Sequence, residues 1–218
     1  MESAYGLTIP RTLEEACDPG RMALLVYDMQ VGVLSQISGA AELTERVGRL
    51  VDAARAGGFR IVYLRHYFLP PEMAGVAALR TAMIWQRLER VADVQPFLLR
   101  DSPGFELVPE LEPRPTELVL DKVTMSAFAG TPLDIVLRDC GIDSYAICGV
   151  ATEIGIEPTV RHSLDLGYFP VLVTDACGAG HPEAGQRSLE TLAFAGGSVQ
   201  TDTETICVAL HGGSGASS

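Results

Sequence analysis

The sequence has few basic residues and lacks long apolar runs, and both shortages exclude classes of partner. Its 16 Lys and Arg residues stand against 28 Asp and Glu residues, which gives a formal net charge of -12. A chain of this charge repels a phosphate backbone, so we expect no nucleic acid partner. No run approaches the roughly 20 apolar residues needed to span a bilayer, so we expect no membrane partner.

Signals for secretion and for disulfide bonds are absent as well. The first residues, MESAYGLTIP, contain no basic segment followed by an apolar run, so we expect a cytoplasmic protein. The cysteines are odd in number, lie far apart and form no CxxC pair, so we expect reduced thiols. They are Cys17, Cys140, Cys148, Cys177 and Cys207.

The sequence does contain short apolar runs that alternate with longer amphipathic ones. The apolar runs predict strands over residues 22–30, 59–67, 117–123, 144–151, 169–176 and, more weakly, 198–206. The amphipathic runs predict helices over residues 41–58, 130–141, 153–167 and 181–197. Several strands are apolar throughout, which is typical of a parallel sheet covered on both faces. We therefore predict an α/β fold, a three-layer, doubly wound and mainly parallel sheet with helices on both faces.

The length of 218 residues fits one domain of this kind. We expect the domain to cover residues 1–210 and the remaining HGGSGASS, residues 211–218, to be a disordered tail. Residues 68–100 are too many for an ordinary connection, so we predict that they form a helix and a lid. In this segment Trp85 lies near Arg80 and Arg87, which suits a carboxylate-bearing substrate. A surface helix with solvated arginines is the alternative.

Two charged residues stand where apolar runs end. Asp28 follows the first run, and Lys122 lies at the end of the third. Ligands in open α/β sheets bind beyond the carboxyl ends of the strands, so these positions are candidates for a site. Burial raises the pKa of a carboxyl group and lets it hold a proton for general acid catalysis, whereas a nearby ammonium lowers that pKa. A capping aspartate and a surface lysine are the separate alternatives, but the two together favour a site.

A helix start follows the fourth predicted strand. Pro158 must lie in the first helical turn, because only there is its missing N–H harmless. This places Gly155 at the start of the helix. Unpaired N–H groups and the positive end of the helix dipole suit an oxyanion or a carboxylate at that position.

Three motifs in these regions resemble signatures of the isochorismatase-like (cysteine hydrolase) superfamily. They are VYDMQ with Asp28, LDKVTMSAFAGTPLD with Lys122, and GVATEIGIEPTVRHSLDLGY followed by VTDACGA. Amidase members of that superfamily use an Asp, a Lys and a Cys as a catalytic triad, and the resemblance puts Gly155 at the Cys position. It also implies a cis peptide bond at Val150-Ala151 and assembly into a homodimer or homotetramer.

Because Gly155 supplies no thiolate, the resemblance favours the family members that cleave a vinyl ether and also have glycine there. In that reaction an acid protonates the methylene carbon of an enol-pyruvyl group, and water adds to the resulting oxocarbenium ion. The implied roles are Asp28 as the acid, Lys122 as the group that orients the substrate and tunes Asp28, and Gly155 as the residue that leaves room for the substrate ring. A small-molecule substrate and no metal or other cofactor are expected. The expected substrate-binding residues are His66, Trp85, Gln86, Arg87, Val150, Ala151 and Thr152.

Two other functions stay open. One is an amidohydrolase that acts on a small amide through activated water, through a metal near His66 or through another thiol, for which Cys148 and Cys177 are the candidates. The other is a catalytically silent protein that binds a small acid or amide. If the site is placed correctly, we expect Gly155→Cys to leave the fold intact.

Overall fold

A computed structural model describes residues 1–212 of the chain. The described residues form the strands β1 (Glu2–Ala4), β2 (Leu7–Ile9), β3 (Met22–Tyr27), β4 (Arg60–His66), β5 (Leu118–Lys122), β6 (Ser144–Val150), β7 (Phe169–Gly178) and β8 (Val199–Thr201). Their α-helices are α1 (Leu13–Ala16), α2 (Val31–Leu34), α3 (Ala40–Ala56), α4 (Val76–Trp85), α5 (Leu133–Asp139), α6 (Glu157–Asp165), α7 (Pro182–Ala195) and α8 (Thr203–Gly212).

Six of the strands form one parallel sheet in the order β5-β4-β3-β6-β7-β8. All residues of β3 and β6 are buried, in agreement with their continuous apolar sequences. The chain builds outward from β3 to β5 on one side, then returns to β6 and builds outward to β8 on the other. The topological switch point therefore lies between β3 and β6, where ligands bind in sheets of this kind.

Helices cover both faces of the sheet. On one face, α3 and α8 pack through side chains such as Val47, Leu50 and Ile206. On the other face, α5, α6 and α7 contribute Leu137, Val160 and other side chains to a second core cluster. The predicted three-layer parallel α/β fold is therefore confirmed. No helix among residues 1–212 combines the length and apolarity needed to cross a membrane.

The end of the chain differs from the prediction. Only Val199–Thr201 of the weakly predicted strand at residues 198–206 is extended, and a helix begins at Thr203. Asp202 explains the change, because its carboxylate accepts a hydrogen bond of 2.8 Å from the Thr205 amide at the helix start. Helix α8 continues through residues 211 and 212, so the predicted tail begins too early. Residues 213–218 lie outside the described part of the chain.

The segment of residues 68–100 contains the predicted helix, α4, between two short 3₁₀ turns, Pro71–Met73 and Val91–Asp93. Two of its aromatic rings, Phe68 and Phe97, stack with their centroids 4.1 Å apart. This contact joins the start of the segment to its end beside the carboxyl ends of the strands. The segment forms one wall of the cavity described below, whereas motion as a lid stays a prediction.

Candidate active site

A cavity of about 670 Å³ opens at the switch point of the sheet. Its floor comes from the ends of β3 and β4, one side from the turn after β6, and another from residues 68–100. The lining residues are Tyr27, Asp28, Gly32, Val33, Gln36, Ile37, His66, Phe68, Trp85, Gln86, Gln95, Phe97, Leu98, Gly104, Met125, Ala151, Glu153, Ile154, Gly155, Gly180 and His181. The cavity is large enough for a small-molecule substrate.

Asp28 and Lys122 meet at the floor of this cavity. Lys122 Nζ donates a hydrogen bond of 2.8 Å to Asp28 Oδ2, and the side chains are 0% and 10% exposed. Asp28 has a φ of 48°, in the left-handed region, and its amide donates to the Leu64 carbonyl oxygen at 3.0 Å. The chain therefore turns sharply after β3 while staying bonded to β4. The other carboxylate oxygen, Oδ1, is buried without a hydrogen-bond partner among the described residues.

Burial and the ion pair act in opposite directions on both groups. Burial raises the pKa of Asp28 to about 6, although the Lys122 charge and hydrogen bond oppose that rise. Burial likewise lowers the pKa of Lys122 below its ordinary value, and Asp28 opposes that change. Asp28 can therefore exchange a proton near neutral pH, which is the property required of a general acid or base.

Gly155 lies against the ring of Tyr27. A Cβ added at Gly155 would lie 2.3 Å from Tyr27 Oη and 2.4 Å from Cε1, far inside van der Waals contact. Tyr27 is 1% exposed, and its hydroxyl donates a hydrogen bond to the Met125 carbonyl oxygen. Its ring centroid is 4.1 Å from Lys122 Nζ, a cation–π contact. The expectation that Gly155 leaves room for the substrate ring needs correction, because Tyr27 fills that space.

The same contact corrects the expectation for Gly155→Cys. A cysteine has a Cβ at the position tested, so its introduction would require the buried Tyr27 ring to move. The substitution is therefore expected to destabilise the fold even though the turn is where the sequence placed it.

The turn after β6 has the implied cis peptide bond at Val150-Ala151, followed by a π-helical turn over Thr152–Ile156. Only part of this turn lines the cavity as expected. Val150 is completely buried in the core, and the Thr152 hydroxyl donates a 2.9 Å hydrogen bond to the Gly178 carbonyl oxygen. These two residues shape the turn, whereas Ala151 lies at the cavity surface.

His66 lies at the end of β4 and lines the cavity, as the sequence suggested. Its backbone is fixed by Gln30, which accepts from the His66 amide at 2.7 Å and donates to its carbonyl oxygen at 2.9 Å. The imidazole is buried, and neither ring nitrogen has a hydrogen-bond partner among the described residues. Burial, followed by the Lys122 charge, lowers the pKa of His66 to about 3. The ring is therefore neutral at ordinary pH.

A metal site near His66 receives no support from the side chains around it. Within residues 1–212, no three His, Cys, Asp or Glu side chains lie together as candidate ligands. His66 and Asp28 offer one nitrogen and one carboxylate, whereas most zinc sites use at least three protein ligands. The donor set does not fit a zinc ion, and no chemical step below depends on one.

The predicted binding residues at and just after the end of α4 differ in their positions. Trp85 lines the cavity and is 43% exposed. Gln86 also lines it, but its amide group exchanges hydrogen bonds of 2.8 and 2.9 Å with the Gln95 backbone. Arg87 is exposed, and neither it nor Arg80 is among the lining residues. The arginines therefore do not provide the expected anchor for a substrate carboxylate.

The alternative thiols also lie away from the cavity. Cys148 is completely buried in β6, with Sγ 3.7 Å from the Leu25 carbonyl oxygen. Cys177 Sγ is 3.6 Å from the Ile147 carbonyl oxygen. Burial raises the pKa of Cys148 well above its ordinary value, and burial and the Asp175 charge raise that of Cys177 to about 12. Neither sulfur can supply a thiolate to the cavity in this arrangement.

Several lining residues were not identified from the sequence. Tyr27, Met125 and Phe97 are apolar or aromatic residues that the sequence gives no reason to separate from the core. Glu153 and His181 stand at the first positions of the helices predicted over residues 153–167 and 181–197, and nothing in the sequence distinguishes them from other helix-start residues. A residue's place in the cavity wall depends on how distant loops meet, and single-sequence patterns do not contain that information.

Comparison with known proteins gives a consistent result. Residues 22–205 match the Isochorismatase domain family. The structure is similar to a cysteine hydrolase from Pseudomonas syringae pv. phaseolicola, with a TM-score of 0.77, 25% identity, and coverage of 90% of this chain and 95% of that chain. It is also similar to an isochorismatase family protein from Burkholderia thailandensis, with a TM-score of 0.67, 26% identity, and coverage of 88% and 96%.

A third structure shares the fold at lower identity. It is a pyrazinamidase of Pyrococcus horikoshii in complex with zinc, with a TM-score of 0.70, 23% identity, and coverage of 84% of this chain and 99% of that chain. The similarity therefore spans structures described as a cysteine hydrolase and as a pyrazinamidase, so the fold alone does not select a reaction.

Proposed function

Because the chain belongs to the isochorismatase family of hydrolases, we propose that it hydrolyses a vinyl ether by proton transfer from Asp28, without a covalent intermediate. The contact between Tyr27 and Gly155 carries this proposal. The phenol ring of Tyr27 occupies the space that a nucleophilic side chain at position 155 would need. Burial keeps the pKa of that phenol far above its ordinary value, so it is not a ready nucleophile.

Vinyl-ether hydrolysis requires only an acid and a water molecule. Protonated Asp28 gives its proton to the terminal carbon of the C=C bond, which leaves an oxocarbenium ion. Water attacks the cationic carbon and returns a proton to the Asp28 carboxylate, forming a hemiketal or hemiacetal. Collapse of that intermediate breaks the C–O bond and gives a carbonyl compound and an alcohol. The atoms balance as ether plus water, and Asp28 ends protonated as it began.

Lys122 has a positioning role in this scheme. Its ammonium donates a 2.8 Å hydrogen bond to Asp28 Oδ2. This bond restricts rotation of the carboxyl group, so the position of Oδ1 is fixed as well. The ring of Tyr27 contacts the same ammonium and limits its movement. The charge of Lys122 also stabilises the Asp28 carboxylate that forms once the proton has been transferred.

The test follows from the protonation state that the reaction needs. Since burial raises the pKa of Asp28 to about 6, the protonated form is lost as the pH rises above that value. We expect kcat/KM to fall about tenfold per pH unit above pH 6. A water-activating base would give the opposite slope, because it must be deprotonated to act.

The assay uses two probes, ethyl vinyl ether with detection of acetaldehyde and isochorismate with detection of pyruvate. Asp28→Asn removes the proton donor and should lower kcat by about 100- to 10 000-fold. Asp121→Asn is the matched control, because Asp121 pairs with Arg65 and Arg100 near the end of β5 and does not line the cavity. Turnover of simple amides that depends on Asp28, with neither vinyl ether cleaved, would overturn the proposal. Absence of turnover of both vinyl ethers by the wild-type protein would also overturn it.

A further inference from the structure

A second cavity, the side groove, lies next to the active-site cavity and has a volume of about 400 Å³. Four parts of the chain contribute its lining. They lie within residues 67–71 after β4, residues 74–82 around the first turns of α4, residues 94–97, and residues 123–125 after β5. The proposed reaction does not use this space, so its occupant has to be inferred from the lining itself.

The lining of the side groove is apolar. None of the described residues that line it is charged. Two of its polar lining residues, Gln95 and Thr124, already donate side-chain hydrogen bonds to backbone carbonyl oxygens at 3.0 and 2.6 Å. Leu69 and Val123 also line it and remain 41% and 43% exposed. Removal of such surface from water is favourable, so the side groove suits an apolar group.

The volume of the side groove depends on small side chains of α4. Ala77, Ala78 and Ala82 line it from the helix side, where longer side chains would fill part of the space. An apolar space of about 150 Å³ inside a protein is enough to bind benzene. The side groove is therefore larger than a single ring requires.

The side groove and the active-site cavity share one wall. The residues that line both are Phe68, Gln95, Phe97 and Met125. Phe68 and Phe97 stack within this wall, with their centroids 4.1 Å apart. Met125 has an unbranched side chain that changes rotamer readily, whereas its carbonyl oxygen is held by the Tyr27 hydroxyl. A ligand in the active-site cavity is thus separated from the side groove by a single layer of side chains, one of which is adaptable.

From this shared wall and the uncharged lining we propose that the side groove binds an apolar substituent of the substrate while the reactive group lies at Asp28. The substrate class is then a vinyl ether with an extended alkyl or aryl substituent. The inference rests on the function proposed above for the identity of the reactive group. The preference for an apolar substituent is a property of binding, and unreactive ethers can measure it.

The experiment measures the affinities of four saturated ethers, propyl, butyl, pentyl and hexyl ethyl ether. Trp85 is the only tryptophan of the chain, and its ring contacts Phe68 with centroids 5.8 Å apart. Its fluorescence therefore reports a ligand at the shared wall. Affinity should rise about threefold per methylene group, so hexyl ethyl ether should bind at least about tenfold more tightly than propyl ethyl ether.

Ala78→Phe tests where that gain in affinity arises. It introduces a ring at a position that lines the side groove and does not line the active-site cavity. The variant should remove most of the gain with chain length and change the affinity for propyl ethyl ether by less than about twofold. Ala77→Phe, at the neighbouring lining position, should give the same result.

Arg80→Phe is the matched control. It adds the same ring to α4 at an exposed position that lines neither cavity, and it should leave the affinities of all four ethers unchanged.

The same chain-length dependence in wild type and both alanine variants would overturn the proposal, because the substituent would then bind elsewhere. Absence of binding by all four ethers would also overturn it. A changed oligomeric state of Ala78→Phe in sedimentation velocity, with the chain-length dependence kept, would instead assign the side groove to contact between copies of the chain. None of these measurements uses turnover, so this proposal and vinyl-ether hydrolysis can fail separately.

Discussion

Replacement of Gly155 by alanine tests the contact on which the proposed chemistry depends. The added Cβ would lie 2.3 Å from Tyr27 Oη, 2.4 Å from Cε1 and 2.5 Å from Cζ. The ring must move by about an ångström or more to restore ordinary contact distances of about 3.5 Å. It is 1% exposed and packed among core side chains, so its movement disturbs that packing even though the ring borders the cavity.

The expected loss of stability has two parts. Overpacking a core with one methyl group costs about 1–3 kcal/mol. Displacing the Tyr27 hydroxyl from the Met125 carbonyl oxygen costs about 1 kcal/mol more. The sum is about 2–4 kcal/mol, and a chain of this size loses roughly 2–4 °C in Tm per kcal/mol. We therefore expect Gly155→Ala to lower Tm by about 5–15 °C.

The assay is a double-mutant cycle measured by urea unfolding. Tyr27→Val removes the obstructing ring, so the destabilisation by Gly155→Ala should be smaller in that background by about 1–3 kcal/mol. Gly48→Ala is the matched control, because Gly48 lies inside α3 and an added Cβ meets Leu111 Cδ2 at an ordinary 3.9 Å. That change should raise stability by up to about 1 kcal/mol. Additive effects at 27 and 155, or an unchanged Tm for Gly155→Ala, would refute the reasoning.

Two further predictions concern residues that the sequence suggested and the structure places outside the cavity. Cys177→Ser should leave kcat/KM within about twofold of wild type, because its sulfur bonds to the sheet backbone and does not line the cavity; inactivation by brief iodoacetamide treatment would contradict this. Arg80→Ala and Arg87→Ala should each leave KM unchanged within about twofold, since neither side chain lines the cavity; a selective rise in KM for a carboxylate substrate would contradict this.

The sheet was predictable because its strands are unusually apolar. Burial on both faces requires an uninterrupted apolar run, and β3 and β6 have such runs. The wrong prediction of a strand over residues 198–206 also follows from burial, because an edge strand is not covered on both sides. Val199–Thr201 forms an edge strand of three partly exposed residues, so its sequence need not be apolar. The polar residues after it then favour the helix start capped by Asp202.

The pairing of Asp28 with Lys122 was predictable from topology. Residues at the carboxyl ends of parallel strands share one edge of the sheet, and the structure places only β4 between β3 and β5, so the two side chains can meet there. The remainder of the cavity was not predictable in this way. Glu153 and His181 meet through a backbone amide, and Phe68 meets Phe97 across the long segment. Such contacts depend on loop conformations that leave no periodic pattern in the sequence.

Tyr27 and Gly155 are best understood as one structural feature. A cysteine placed at 155 would carry its Cβ into the Tyr27 ring, so a thiol cannot be restored there without a second change at 27. That second change removes the aromatic face located 4.1 Å from Lys122 Nζ, and the Asp28–Lys122 pair would then lie in a different environment. In the proposed reaction, the lack of a nucleophile at 155 and the environment of the Asp28–Lys122 pair both involve the Tyr27 side chain.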